Sequence, residues 1–248
     1  MQNRLDVELV ARGLARSRNH AASLIENGRV FIAGKEAKKS SQQVTSEVEI
    51  VVLAAEDYVS RAGHKLVAAL DEFGIEVLGK TCLDVGASTG GFTDVLLRRG
   101  ARQVVALDVG HSQLAEAMRE NRLVVNLENF NARELDLEIL NRRSGLKLSR
   151  ESIGLVVADL SFISVTLVMR NMFEVAPLAD FVLLIKPQFE VGKESLEASG
   201  IVNDHRLRAA AINQVLAEAK RLGFGIHGLI KSPLPGTHGN IEYLVWFS

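Results

Sequence analysis

A glycine-rich stretch that directly follows a short apolar run constrains this chain more than any other feature. Residues 81–85 have the pattern of a buried strand, residues 86–91 are all small, and an amphipathic stretch begins at Phe92. This order is typical of the first strand, loop and helix of a doubly wound α/β sheet. Glycine lets the backbone approach a ligand closely, and a helix start offers unpaired N–H groups. The stretch predicts a nucleotide-type binding loop, and a structural turn without a ligand is the alternative.

Further apolar runs follow this loop and alternate with helical patterns. The runs are residues 104–108, 123–125, 153–159 and 181–187, and the helices predicted between and after them cover 113–121, 165–175 and 205–222. Continuous apolar strands separated by helices indicate a buried, mostly parallel sheet. Residues 225–230 and 241–247 have no helix between them and should pair antiparallel. We therefore expect a Rossmann-like α/β fold with a seven-stranded, mostly parallel sheet and an antiparallel last strand.

The first 56 residues form a separate block with its own pattern. Two short helical stretches end near Gly13 and Gly28, and short alternating strands follow. We predict a small α+β domain over residues 1–56, a linker over 57–63 and the main domain over 64–248. Basic residues cluster on the small domain, which is the electrostatic pattern expected for binding a phosphate backbone. A solvated surface with incidental lysines is the alternative, and charge alone does not decide between them.

Composition excludes several classes of protein. The 248 residues are 47% hydrophobic and 24% charged with a net charge of −1, so the chain has ample core material and is not a polycation. The sequence has no apolar run of the roughly 18 residues that a membrane span needs, and its N-terminus lacks a signal core. Its single cysteine, Cys82, cannot form an internal disulfide and fits a reducing cytoplasm. We expect a cytoplasmic protein that does not associate with membranes.

Charged residues stand at the ends of three predicted strands. Asp108, Asp159 and Lys186 would lie at the carboxyl edge of the sheet, where ligands bind in this fold. Asp108 would bind ribose hydroxyls, with a plain helix cap as the alternative. We place the strands of Asp159 and Lys186 next to the glycine-loop strand. A buried lysine costs several kcal/mol unless it is paired, so Asp159 is its expected partner; Lys65 and Glu242 could approach from flanking elements, and a purely structural ion pair is the alternative.

The small domain resembles a known RNA-binding domain of pseudouridine synthases, bacterial tyrosyl-tRNA synthetases and a small-subunit ribosomal protein. The resemblance rests on residues 4–6 (RLD), 15–18 (ARSR) and 25–35 (IENGRVFIAGK), with Ala33 where many members carry asparagine. It implies that the basic face recognises folded RNA. The residues implied in RNA binding are Arg4, Arg16, Arg18, His20, Arg29, Lys35, Lys38 and Lys39.

The main domain resembles S-adenosylmethionine-dependent ribose 2′-O-methyltransferases of the FtsJ-like type. The shared segments are residues 84–92 (DVGASTGGF), 159–161 (DLS) and 186–189 (KPQF), and with residues 60–66 (SRAGHKL) and the small domain the whole chain resembles the TlyA family, once labelled hemolysins. The resemblance implies 2′-O-methylation of cytidine in ribosomal RNA, with ribosomal RNA or ribosomal subunits as partners, no obligate protein partner and no metal. The implied catalytic tetrad is Lys65, Asp159, Lys186 and Glu242. The implied methyl-donor residues are Asp84, Gly86, Ala87, Ser88, Thr89, Gly90, Gly91, Phe92, Asp108, Asn131 and Asp159.

This chemistry needs a positioned nucleophile, because a ribose hydroxyl is a poor one and must attack in line at short range. Lys186 would either steer the hydroxyl or accept its proton, and Glu242 would orient Lys65 or hold the ribose. Three other functions remain alternatives. A nicotinamide dehydrogenase would carry G-x-G-x-x-G rather than the G-x-x-x-G-G found here. A non-catalytic RNA-binding or ribosome-assembly factor would not need the tetrad. Membrane lysis, suggested by the old family label, would need a span or a basic amphipathic helix.

Overall fold

The computed structural model describes residues 2–26, 28–52, 58–192, 200–236 and 239–248. The chain divides into two compact units, Met1–Asp57 and Tyr58–Ser248. The predicted linker over residues 57–63 begins outside the described residues at position 57, and residues 58–63 belong to the second unit. None of the helices in the described residues has the length and apolar character that a bilayer crossing requires.

The first unit has the predicted α+β pattern of short helices followed by strands. Its elements are β1 (Gln2–Arg4), α1 (Leu5–Ala11), α2 (Arg18–Glu26), β2 (Val30–Ile32), β3 (Lys35–Glu36), β4 (Gln43–Thr45) and β5 (Ile50–Val52). Strands β3, β2 and β5 form one antiparallel sheet, and the unpredicted β1 pairs with β4. Leu5, Leu9, Ile25 and Val30 are buried in a small core of its own, so the apolar spacing identified in the sequence holds this unit together.

The second unit is built on a seven-stranded sheet. Its strands are β6 (Thr81–Val85), β7 (Gln103–Leu107), β8 (Val124–Leu127), β9 (Ile153–Ala158), β10 (Asp180–Ile185), β11 (Ile226–Lys231) and β12 (Tyr243–Phe247). Their order across the sheet is β11-β12-β10-β9-β6-β7-β8. The pairs from β10 to β8 are parallel, whereas β12 is antiparallel to both β10 and β11. The predicted fold class is confirmed.

Helices cover both faces of this sheet. They are α3 (Ala62–Phe73), α4 (Gly91–Arg98), α5 (Glu116–Arg119), α6 (Leu137–Ser144), α7 (Thr166–Val175), α8 (Pro187–Glu190) and α9 (His205–Arg221). Side chains of β6 alternate between two cores: Leu83 and Val85 pack with Phe173 of α7, and Cys82 packs with Leu66 of α3. Burial raises the pKa of the Cys82 thiol to about 12, so this cysteine is an unreactive core residue at neutral pH.

One predicted helix is much shorter in the structure. The helix expected over residues 113–121 is reduced to α5 (Glu116–Arg119). The backbone of Ser112 is left-handed (φ +53°) and that of Ala115 has a non-helical ψ of 143°, and the N–H groups of Ser112 and Gln113 donate to the Glu128 carboxylate at 2.6 and 3.1 Å. A long-range contact therefore overrides the local helical pattern, which sequence periodicity cannot reveal.

A helix that the sequence analysis did not predict spans Leu137–Ser144. Its start is capped by Asp136, which accepts hydrogen bonds from the N–H groups of Glu138 and Ile139, and Gly145 ends it with a φ of +70°. Both signals are present in the sequence. The helix carries a single fully buried apolar residue, Leu140, so its hydrophobic periodicity is weak.

The strand that leads to Lys186 lies one position further from the glycine loop than predicted. Strand β9, which ends just before Asp159, pairs with β6 as expected. Strand β10 pairs with β9 and β12, so β9 separates it from β6. Asp159 and Lys186 still meet, because their strands are direct neighbours whose carboxyl ends share one edge.

Candidate active site

Two adjoining cavities open at the carboxyl edge of the parallel strands. One has a volume of about 440 Å³ and the other about 390 Å³. They share Gly86, Ser88, Asp159 and Ser161 as lining residues. The glycine loop and the end of β9 therefore form the boundary between two compartments, so two ligands bound in them would meet at Asp159.

The glycine loop passes very close to β9. Gly86 has a φ of +86°, and a Cβ atom there would lie 2.7 Å from the backbone oxygen of Asp159. A larger residue would force the loop and the strand end apart. This glycine is required to bring the two halves of the site together.

The larger cavity holds four charged side chains as two ion pairs. Lys65 of α3 lies 2.5 Å from Glu242, and Lys186 lies 2.6 Å from Asp159. Lys65, Lys186 and Glu242 are only 8%, 9% and 2% exposed. Charges removed from water to this extent need partners, and each of the four has one of opposite sign.

The ion pair between Lys186 and Asp159 is short, but its angles are not those of a well-aligned hydrogen bond. Lys186 Nζ donates its hydrogen bond to Ser161 Oγ at 2.9 Å. Asp159 Oδ1 lies at ion-pair distance, yet it is buried without a well-aligned hydrogen-bond donor among the described residues. A buried carboxylate oxygen in that state can still accept a hydrogen bond from a ligand. The site thus presents a cation and a free acceptor side by side.

The smaller cavity is bounded by Asp108 and by the segment after β8. Asp108 accepts hydrogen bonds from the N–H groups of Ser88 and Gly110, both at 2.7 Å. Asn131 lines the same cavity and caps the 3₁₀ turn Ala132–Glu134 by accepting from Arg133 N–H. Asp108 therefore joins the glycine loop to this wall, and its carboxylate stands where the sequence predicted a ribose-binding acid.

Asp84 lies behind the glycine loop, fully buried at the end of β6. Thr93 Oγ1 donates to its Oδ2 at 2.6 Å, and its Oδ1 has no hydrogen-bond partner among the described residues. Burial, and the nearby carboxylates of Asp159 and Asp108, raise the pKa of Asp84 to about 7. Three acids therefore converge where the cavities meet, which favours a ligand that carries positive charge.

The structure brings most predicted site residues to these two cavities. The four tetrad residues line the larger one together with Gly86, Ala87, Ser88, Thr89, Gly91 and Phe92. Asp108 and Asn131 line the smaller one, and Asp159 lines both. Asp84 and Gly90 lie behind the loop: Gly90, with a φ of +95°, packs against Leu114 and Met118. Those two would act on a ligand through the loop rather than by touching it.

Comparison with known proteins assigns each unit to a family. Residues 58–248 match the FtsJ-like methyltransferase model, and residues 3–50 match the S4 domain model. The chain is 48% identical over 246 residues to the 16S/23S rRNA (cytidine-2′-O)-methyltransferase TlyA of Mycobacterium tuberculosis, covering 98% of this chain and 88% of the relative. It is 41% identical to Hemolysin A of Brachyspira hyodysenteriae, covering 98% and 99% of the two chains. A solved structure from Lactococcus lactis is 43% identical, with a TM-score of 0.72 over 78% of this chain and 89% of that one.

The chain belongs to the TlyA family of FtsJ-like methyltransferases. It is an S-adenosylmethionine-dependent methyltransferase with an N-terminal S4 domain. The predicted family, enzyme class and methyl donor are therefore confirmed.

The residues present fit S-adenosylmethionine. This methyl donor carries a sulfonium and an ammonium group, and the converging carboxylates of Asp84, Asp108 and Asp159 favour a cation at the loop. Its ribose would find Asp108 in the smaller cavity, and Asp159, whose Oδ1 is an available acceptor, lines both cavities, whereas Asp84 would act on the donor only through its charge. The boundary between the two cavities is then where a methyl group would be presented to a nucleophile in the larger one.

Within the S4 domain, three of the predicted RNA-binding residues are engaged in ion pairs. Arg4 and Arg18 lie 3.0 and 2.9 Å from Asp6, which is buried, and they lower the pKa of Asp6 to about 2. Lys38 lies 2.6 Å from Glu36. Some of the predicted RNA-binding side chains therefore also form ion pairs that stabilise the S4 domain itself. Arg16, Lys35 and Lys39 have exposed side chains, whereas His20 and Arg29 are half-buried.

Sequence reasoning missed an aromatic pair beside Lys186. Phe162 is 92% exposed and has a φ of +66°, and its ring lies 5.4 Å from that of Phe189. Lys186 Nζ is 5.8 Å from the Phe189 ring centre. The only signal in the sequence was a phenylalanine three residues after Asp159, and a lone phenylalanine usually indicates core.

Proposed function

We propose that this enzyme transfers a methyl group from S-adenosylmethionine to the ribose 2′-hydroxyl of a cytidine in ribosomal RNA. Lys65, Asp159, Lys186 and Glu242 carry the transfer, and the S4 domain docks on folded ribosomal RNA. Relatives named as rRNA (cytidine-2′-O)-methyltransferases, from Mycobacterium tuberculosis and Campylobacter jejuni, support this substrate. Ribosomal subunits are then the partners, and the cytoplasm is where the enzyme meets them.

The observation that carries the proposal is the arrangement of the two buried ion pairs in the larger cavity, directly beside the loop that holds the donor. A structural ion pair in a protein core would be closed off from ligands. Here Lys186 and Asp159 line an open cavity, and Asp159 also lines the neighbouring one. That position suits groups that act on a ligand held between the two compartments.

The mechanism follows from the donor and acceptor that stand together. S-adenosylmethionine supplies an electrophilic methyl group on its sulfonium. Lys186 Nζ donates a hydrogen bond to the 2′-oxygen, while Asp159 Oδ1 accepts one from the 2′-hydroxyl, so that a lone pair of the oxygen is held toward the methyl group. Asp159 would take the hydroxyl proton as the new C–O bond forms and the methyl–sulfur bond breaks, with S-adenosylhomocysteine as the leaving group. Fixing the attack geometry in this way supplies much of the acceleration.

Lys65 and Glu242 form the second ion pair that lines the substrate cavity. Glu242 Oε2 is engaged by Lys65, and Gln188 Nε2 lies 3.4 Å from Glu242 Oε1. This pair orients the ribose, because it offers a fixed donor and a fixed acceptor to neighbouring sugar hydroxyls. Its role is therefore positioning the nucleotide rather than moving the proton.

The test is transfer of labelled methyl groups to purified 30S and 50S subunits, followed by mapping of the modified ribose. We expect label on a cytidine 2′-oxygen. Label on a base atom, or label that does not depend on the tetrad, would contradict the proposal.

The exposed lysines of the S4 domain should act through phosphate contacts. We expect the double variant Lys35→Ala/Lys39→Ala to weaken binding to ribosomal RNA and to lower the slope of log affinity against log salt by about one to two, since each lost phosphate contact lowers it by roughly one. The measurement is RNA binding across a salt series. Lys220→Ala in the last turn of α9 is the matched charge control; equal salt slopes for all three proteins would show that these lysines do not touch RNA.

Phe162 should provide a stacking surface for a base of the substrate. Base stacking on an aromatic ring contributes about 1–3 kcal/mol, so Phe162→Ala should raise the KM for the RNA substrate about tenfold or more. Phe162 also lines the smaller cavity, but it is 92% exposed, so the Kd for S-adenosylhomocysteine should rise much less than the KM for RNA. Leu178, another exposed apolar residue, provides the control variant Leu178→Ala. An unchanged KM for RNA, or a loss of cofactor affinity instead, would contradict this role.

A further inference from the structure

Glu190 is a buried acid that the mechanism above does not use. It is 8% exposed and lies at the end of α8, four residues after Lys186. Both of its carboxylate oxygens accept hydrogen bonds: Ser164 Oγ donates to Oε2 at 2.5 Å, and the Val165 N–H donates to Oε1 at 2.9 Å. Burial raises the pKa of Glu190, so the fold bears a cost in holding a carboxylate at this position.

The contacts of Glu190 join two segments that each carry half of the catalytic ion pair. One segment follows β9 and runs from Asp159 to Val165; the other follows β10 and runs from Lys186 to Glu190. The segments touch at three levels. Lys186 contacts Asp159 and Ser161, the ring of Phe189 contacts that of Phe162, and Glu190 binds Ser164 and Val165.

Of these three contacts, that of Glu190 lies furthest along both segments from the strand ends, and it engages the start of α7. Val165 precedes α7, and Glu190 satisfies its backbone N–H in place of a side-chain cap on that helix. Between Asp159 and this anchor, Phe162 adopts a left-handed backbone with a φ of +66°. Such a conformation persists only where the surroundings hold it. Fixing both ends of the segment, at Asp159 and at Val165, provides that restraint.

We propose that Glu190 is a positioning residue that sets the spacing of Lys186 and Asp159 by anchoring the segment 159–165 to the segment 186–190. The proposal rests on the proposed function, because the spacing matters only if these two residues carry the transfer. Losing the anchor lets the two segments separate. Residues 159–163 also line the cofactor cavity, but Asp108, Asn131 and the glycine loop, which line the rest of it, are not held by Glu190. Glu190 therefore affects turnover more than cofactor binding.

The test compares four variants with the wild-type chain on ribosomal subunits. Glu190→Ala should lower kcat between about tenfold and a hundredfold, since misplacement of reacting groups by an ångström can cost that much. Its KM for S-adenosylmethionine and its Kd for S-adenosylhomocysteine should stay within about threefold. Glu190→Gln should restore kcat to within about threefold of wild type, because the amide oxygen can accept from Val165 N–H and the amide nitrogen can donate to Ser164 Oγ. In Glu190→Gln the Ser164 hydroxyl can then donate its own hydrogen bond to Thr166 Oγ1, which lies 2.7 Å away.

Two further variants separate positioning from stability. Ser164→Ala removes one of the two contacts and should lower kcat by less than Glu190→Ala does. Asp136→Ala removes the carboxylate cap of α6 and should lower the melting temperature while leaving kcat unchanged.

If Glu190→Ala kept wild-type kcat, or if Glu190→Gln were as impaired as Glu190→Ala, the positioning role would be wrong while the proposed function stood. If kcat fell in Asp136→Ala in proportion to the melting temperature, as in Glu190→Ala, the effect of Glu190 would be one of stability alone. A wild-type chain that transferred no methyl group to either subunit would overturn the proposed function and the role of Glu190 with it.

Discussion

Replacing Lys186 with alanine is expected to lower methyl transfer to ribosomal subunits about a thousandfold or more. In the proposed mechanism the side chain is the hydrogen-bond donor to the 2′-oxygen. Its removal also leaves Asp159, whose side chain is only 16% exposed, without a compensating charge. Positioned proton-transfer groups contribute about 10²–10⁴-fold to a rate, and loss of one preorganised donor costs about 10²–10³-fold. Lys186→Ala removes the donor and also the partner that holds the proton acceptor Asp159 in place, so both contributions are reduced together.

Binding of S-adenosylhomocysteine separates loss of catalysis from loss of the cofactor site. We expect its Kd to stay within a few-fold in Lys186→Ala, because Asp108, Asn131 and the glycine loop are unchanged. Lys80→Ala is the matched control: Lys80 lies 2.9 Å from Asp180, at the opposite edge of the same sheet. That variant loses an ion pair of the same type but should keep wild-type turnover. A Lys186→Ala enzyme that retains near-normal turnover would refute the catalytic assignment.

The sheet and its cofactor loop were predictable because both follow from local patterns. Continuous apolar runs specify buried parallel strands, and the six small residues after Val85 leave few alternatives to a close-approach loop. The position of strand β10 was not predictable from local patterns. Lys186 could be assigned to a strand end, but the sequence does not state which strand lies beside β6. Lys186 and Asp159 nevertheless form an ion pair, because their contact requires only that β9 and β10 be neighbours.

Long-range contacts account for what the sequence analysis missed. Glu128 accepts hydrogen bonds from the N–H groups of Ser112 and Gln113, 16 and 15 positions earlier, and so fixes a non-helical segment where the helix over residues 113–121 was expected to begin. The ion pair of Arg18 with the buried Asp6, twelve positions earlier, was likewise not predicted. The contacts of Glu190 could not be predicted from local patterns either, because its partners lie 25 and 26 residues earlier in the chain. Each case depends on which side chains the fold brings together rather than on any local spacing.

Asp84 gives the second large expected effect, which depends on pH. Its pKa of about 7 in the folded protein lies above its ordinary value of 3.8, mainly because the group is fully buried. An acid with a raised pKa favours the protonated folded state, so stability falls as pH rises from about 4 through 7, and the whole cost is present at pH 8. Asp84→Asn removes the charge. We expect it to stabilise the free enzyme by on the order of 2–4 kcal/mol at pH 8 and hardly at all near pH 4, measured by denaturant unfolding at both values.

Cofactor binding should respond to Asp84→Asn in the opposite direction. A cationic donor at the loop favours the ionised form of Asp84, so binding to wild type should release a proton near neutral pH and strengthen by up to about tenfold between pH 6 and 8, since one pKa unit is about 1.4 kcal/mol. In Asp84→Asn the affinity for S-adenosylmethionine should be lower and nearly independent of pH. Calorimetry in buffers of different ionisation enthalpy measures both the affinity and the proton release. A variant that is more stable yet binds with wild-type affinity and pH dependence would show that Asp84 is buried for structural reasons alone. The expected result would show that the buried Asp84 carboxylate, which lowers the stability of the free enzyme, is needed to bind a cationic methyl donor.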